Sequence, residues 1–436
     1  MTGVFVPGAL VPGALVPGGP APATPVMGAI GATPDLLAIK ARRVLVGDGT
    51  EIEHAVILVD GGKIVTIGQD LPIERGIPVL ELDDDQLVMP GLVNPYSRFG
   101  MTGGGYNDSR AQVKASTELY PPSGYRAALE AGVTTLGLYP AGTGIPGQAV
   151  VVRPMGGTSE EMIVKDGAYL KVVMRPSSSN KRNLKKGFEA VEKYRDKVEK
   201  EREKWEKKNK PSSKSSSDKK GDDAADEKKE ESKSSSSKKK ESPFVPPAPD
   251  EETAPWLAVV EKKLPLLVTI DSAAAYDHFI DALGKEDVDW SLRIGLSREI
   301  DVFYVKEKIG KQGCYVLIDP EITLHPGTMR QRNLPAEFDR AGAKVVLLPR
   351  SDSASGFESW LEDVGVLIGA GLDRKAAVRG VTQYAADFLG LGAELGTLAE
   401  GKRANLLILS GDPFEPGTEV DAVMLDGQIV HGETRL

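Results

Sequence analysis

The stretch that most constrains the fold is "YRAALEAGVTTLGLYP", residues 125–140: a helical run, a glycine at Gly132, then an apolar strand. Glycine is the common residue just past a helix end because it takes a left-handed backbone without a Cβ penalty. A largely apolar strand after such a stop belongs to a sheet covered by helices, and a repeated step of this kind builds a parallel sheet. The step recurs in "FDRAGAKVVLLP", residues 338–349, and less regularly in "HFIDALGKEDVDWSLRIGL", residues 278–296. The expected class is therefore α/β, a distorted (β/α)8 TIM-type barrel.

The two ends of the chain have a different texture. Residues 35–93 and 396–436 alternate short apolar runs with turn signals, and "AVILVDGGKIVTIG" places Asp60-Gly61-Gly62 between two β-rich runs, a hairpin signal. Both segments together are expected to form one small β-sandwich domain, with residues 94–395 as the barrel. The Pro-Gly-rich segment 1–34 reads as a flexible tail that lacks the basic and unbroken apolar parts of a signal peptide. No segment is long and apolar enough to span a membrane, so the expected location is cytoplasmic.

Inside the barrel segment, Leu184, Phe188, Val191, Val198 and Trp205 form one stripe of a long charged helix. Residues 209–253 follow, rich in Lys, Ser and Glu, and read as a disordered insertion, since so little apolar surface cannot offset chain entropy. A formal net charge of -9 argues against nucleic acid as a partner. The single cysteine, Cys314, cannot form an internal disulfide and reads as a buried strand thiol.

Other chemistries leave no trace. "GMTGGGYND" and "PAGTGIPGQ" are glycine-rich but lack the phosphate-loop lysine and the strand-to-helix setting of a dinucleotide fingerprint, and read as loops over the barrel mouth. No Gly-x-Ser-x-Gly elbow is present.

The segments "MPGLVNPYSRFG", "VILVDGGKIVTIG", "VRGVTQYAADFLGLG" and "GTLAEGKRANLLILSGDPF" resemble the amidohydrolase superfamily, in particular its imidazolonepropionase-like branch. The resemblance implies a metal-dependent barrel hydrolase of non-peptide carbon–nitrogen bonds. It also implies an Asp-x-His-x-His motif, whose positions fall here on Asn94, Tyr96 and Arg98. Two further histidines of the family fall near Thr269 and on Leu296 or Ser297, and the final aspartate on Arg350 or, two residues on, Asp352. "AYLKVVM" resembles the strand that carries a carboxylated lysine in some members, making Lys171 its counterpart.

The chain has four histidines, and only His325, in "ITLHPGTMRQR", falls after a barrel strand rather than in the β-domain or a helix. Phenol and guanidinium do not replace neutral imidazole on zinc. The expectation is thus an amidohydrolase-like protein that has lost its metal ligands and is catalytically impaired, with a binding or subunit role and no cofactor. Arg98, Arg350 and Tyr96 are the candidate binding residues, for a small anionic ligand; an active homologous subunit is the other candidate partner, in an oligomer. Lys171, His325 and Asp352 are the candidate catalytic residues. The competing expectation is an active hydrolase holding zinc through an unusual set drawn from Lys171, Asp352, His325 and Asp271.

Overall fold

A computed structural model describes residues 33–105, 109–120, 122–209 and 243–432. The expected tail falls outside these up to residue 32, but Thr33 is buried, and its hydroxyl accepts the backbone N–H of Ile429 at 3.0 Å. Most of the expected insertion, 210–242, also lies outside the described residues. The described residues begin again at 243, inside the expected insertion: Phe244 lies 6.1 Å from the Trp205 ring, and the Tyr194 hydroxyl donates to the Pro247 carbonyl at 3.0 Å.

Strands from both chain ends form one sheet. It contains β1 (Leu36–Leu45), β2 (Glu51–Asp60), β3 (Lys63–Gln69), β4 (Val79–Glu81) and β5 (Leu87–Pro90). The β2–β3 hairpin turns at Gly61 and Gly62, both at positive φ, as its sequence requires.

The second sheet takes up the middle of the chain: β6 (Leu92–Ser97), β7 (Val133–Leu138), β8 (Gly147–Val152), β9 (Ile163–Val173), β10 (Leu266–Ile270), β11 (Trp290–Ile294) and β12 (Tyr315–Ile318). After a small ribbon of β13 (Thr323–Leu324) and β14 (Gln331–Arg332), β15 (Lys344–Leu347) completes it. The chain then returns to the first sheet with β16 (Leu406–Leu409), β17 (Val420–Leu425) and β18 (Gln428–Gly432), β16 pairing antiparallel with β5.

The second sheet runs in the order β15-β12-β11-β10-β9-β8-β7-β6. It departs from a regular barrel in two ways. β8 is antiparallel to both neighbours, because the link 139–146 is too short for a crossover helix. Among the described residues no ladder joins β15 to β6, so the sheet is curled rather than closed.

Strand alternation divides the core. Leu407 and Leu409 of β16 pack with the helices around the curled sheet, whereas Leu406 and Ile408 face a separate core with Ile39, Ile57 and Val88. The concave face of the curled sheet has its own core: Val93, Val151, Tyr169, Leu267, Leu317 and Val346, closed at one end by Ala385 and Phe388 of the helix Gln383–Phe388. The helix Ser178–Asn209 buries Leu184, Phe188 and Val191, while Val198 and Trp205 of the same stripe are half-buried.

Candidate functional site

Above the concave core, the carboxyl ends of the strands carry polar and aromatic side chains. Tyr96 of β6 and Tyr139, just past β7, stack with ring centroids 3.9 Å apart. Lys171 of β9, only 4% exposed, sets its Nζ 3.7 Å from the Tyr139 centroid and 5.4 Å from that of Tyr96. It has no hydrogen-bond partner among the described residues. Two positions along from Lys171, Val173 pairs with Thr269 of β10, and Thr269 pairs with Arg293 of β11. Since residues opposite one another share a face, Lys171, Thr269 and Arg293 all belong to the concave side.

Arg293 lies 5.3 Å from the Tyr96 centroid, and one of its terminal nitrogens donates to both carboxylate oxygens of Asp319 at 2.8 and 2.7 Å. Its Nε is buried without a partner, and so is the Thr269 hydroxyl, which acts on the nearby Tyr96 phenol without meeting the geometry of a hydrogen bond. Asp352, beyond β15, accepts from the Ser97 hydroxyl at 2.7 Å and from the Arg98 backbone N–H at 2.9 Å.

Burial dominates the protonation of the cluster. It lowers Lys171 to about 7, with Arg98 and Arg293 adding repulsion. It holds the Tyr96 and Tyr139 phenols above their ordinary value. It also raises the carboxyls of Asp319 and Asp352, against the opposing pull of Arg293 on both and of the Ser97 bond on Asp352.

The residues expected from sequence fare differently. Tyr96, Lys171 and Asp352 come together with Ser97. Arg98 is committed, donating to the carbonyls of Tyr139 and Gly103, both at 2.9 Å, with Glu118 3.8 Å away; it clips the glycine-rich loop to the end of β7. Arg350 points outward, its side chain 51% exposed and paired with Glu321 and Asp363. β15 ends at Leu347, so Arg350 no longer follows the strand's inward alternation.

His325 joins the β13–β14 ribbon, with Nδ1 3.3 Å from Arg332 and its ring 5.2 Å from Phe303. Asp271 is exposed and accepts from the Ser272 hydroxyl. The level expected for Leu296 or Ser297 is taken by Arg293, since both of those lie beyond β11. Arg293 and Asp319 escaped the sequence reading, although "SLRIG" alternates polar and apolar residues in the right phase and Asp319 lies two positions past Leu317 of the concave core.

These residues do not fit a divalent metal. Two phenols held protonated, a guanidinium and a lysine facing aromatic rings surround Asp352, which already accepts two donors. Among the described residues no group of three or more His, Cys, Asp or Glu side chains could hold a metal ion.

A curled, mostly parallel sheet with its polar cluster at the strand carboxyl ends, beside a sheet built from both ends of the described chain, defines an α/β protein of half-barrel form. The amidohydrolase family model matches residues 317–430. Among solved structures, an amidohydrolase from Thermotoga maritima is similar at 19% identity and TM-score 0.67, over 91% of this chain and 100% of that one. Another amidohydrolase structure has 13% identity and TM-score 0.51, over 91% of this chain and 99% of that one. A prolidase solved with N-methylphosphonate-L-proline has 12% identity and TM-score 0.50, over 91% and 100%. No curated protein matches the chain. The family match over residues 317–430 and the fold shared with these structures make the chain similar to the amidohydrolases.

Proposed function

We propose that this amidohydrolase-fold protein, a distorted barrel with a small β-domain, does not carry out metal-dependent hydrolysis and instead binds a small anion at the strand carboxyl ends. The observation that carries the reading is the packing of Lys171 on the Tyr96–Tyr139 stack beside Arg293. Hydrolysis of an amide at neutral pH calls for a metal that lowers the pKa of water, and these side chains supply cations and donors where ligands would be needed. Buried donors without partners, at Arg293 Nε and Thr269 Oγ1, support an acceptor between them. Lys171 and Arg293, rather than Arg98 and Arg350, are the anion-binding residues of this reading.

The test is elemental analysis of the purified protein together with calorimetry using small carboxylates. The expected result is no stoichiometric zinc, with carboxylate binding that Lys171→Met weakens at least tenfold. One equivalent of tightly bound zinc with amide-hydrolysing activity would overturn the reading.

A further inference from the structure

We infer that Lys171 is a nucleophilic amine that condenses with a small 2-oxo acid, its Nζ bonding to the carbonyl carbon while the carboxylate accepts from Arg293 Nε and the Thr269 hydroxyl. The inference rests on the anion-binding reading above and adds to it a covalent step. An ordinary surface lysine is a poor nucleophile because it is protonated, whereas a desolvated lysine beside other cations keeps its lone pair. Lys171 meets both conditions: it is buried against two aromatic faces, and Arg98 and Arg293 stand near it. No carboxylate pairs with it among the described residues, since Asp319 is bound to Arg293 and Asp352 to Ser97 and Arg98.

The orphaned donors fix the class of ligand. The Arg293 Nε and Thr269 Oγ1 atoms lie on paired residues of adjacent strands, on the same face as Lys171 one strand further on. A ligand reaching all three carries an acceptor at one end and an electrophilic carbon at the other, the layout of a 2-oxo acid. The slight exposure of Lys171 restricts it to a small member of that class.

In the step, the amine lone pair adds to the carbonyl carbon. The C–O bond then breaks, and both amine hydrogens leave with the oxygen as water, giving a C=N bond without oxidation or reduction. Protonated, the imine is a cation and keeps the contact with the Tyr139 face that the amine makes.

The experiment treats the full-length protein with glyoxylate or pyruvate and a borohydride donor, then maps modified peptides by mass. The expected result is one adduct per chain on Lys171, heavier by the acid less one oxygen, with labelling reduced at least tenfold by excess lactate. Mapping the unaltered protein makes the result independent of whether a variant folds, and Lys171→Met is expected to lose the adduct. Labelling spread over exposed lysines, or none at all, would overturn the inference. Calorimetry with lactate separates the two readings: binding without an adduct removes only the covalent step, and no binding removes both.

Discussion

Ser97 donates to Asp352 across 2.7 Å, and this contact joins the two ends of a sheet whose terminal strands, β6 and β15, share no ladder. Ser97 is fully buried, and Asp352 also takes the Arg98 N–H, so one carboxylate holds both the strand end and the start of the following loop.

Ser97→Ala is therefore expected to cost about 1.5–3 kcal/mol, the range for losing a hydrogen bond to a charged group. Asp352→Ala leaves the serine hydroxyl and the Arg98 N–H without their acceptor and should cost more. Urea denaturation of the three proteins checks the ranking, and equal stability of all three would contradict it.

Lys171 should leave a signature in stability against pH. Its folded pKa, about 7, lies below that of the unfolded chain, so between about pH 7 and 10 the unfolded state binds the extra proton and stability rises with pH. The slope from this group is at most about 1.4 kcal/mol per pH unit. Lys171→Met should flatten the curve across that window relative to the parent protein.

Arg350, a candidate from the sequence, and Arg293, which the sequence did not single out, should differ in their effect on stability. Arg350→Ala removes exposed ion pairs and should change stability by less than about 0.5 kcal/mol. Arg293→Met strands Asp319 in a pair whose side chains are only 11% and 21% exposed, and should cost about 3 kcal/mol. Chemical denaturation distinguishes them directly.

Gly187→Ala sets two effects against each other. Alanine favours a helix by about 1 kcal/mol, but its Cβ would sit 2.2 Å from the Trp256 ring. Overpacking against a buried indole should win, with a net loss of about 1–3 kcal/mol and a lower melting temperature.

What the sequence revealed was decided by alternation and turns. Gly132, the Asp60-Gly61-Gly62 turn and the helix-to-strand step before β15 are local signals, and the structure contains the elements they announce. Matching texture pointed to a β-domain shared by the two ends, but the particular pairing of β5 with β16 has no local signal. The antiparallel β8 was hidden, because "GQAVVV" is apolar in either direction and only the length of its link decides the pairing. At the site, Tyr96, Lys171 and Asp352 were found through family resemblance. Arg293 was missed because the family resemblance set the expected position at Leu296 or Ser297, past the end of β11. Arg350 was misplaced because nothing local shows that β15 stops at Leu347.

The two-ended sheet has a consequence for synthesis. β5 pairs with β1 on one side, but on the other its backbone groups wait for β16, roughly 300 residues later. At roughly 5–20 residues per second the ribosome needs on the order of tens of seconds to supply that partner. For that interval the nascent chain carries an open β-edge, and a chaperone that shields it would raise the yield of native protein more than one that acts after release.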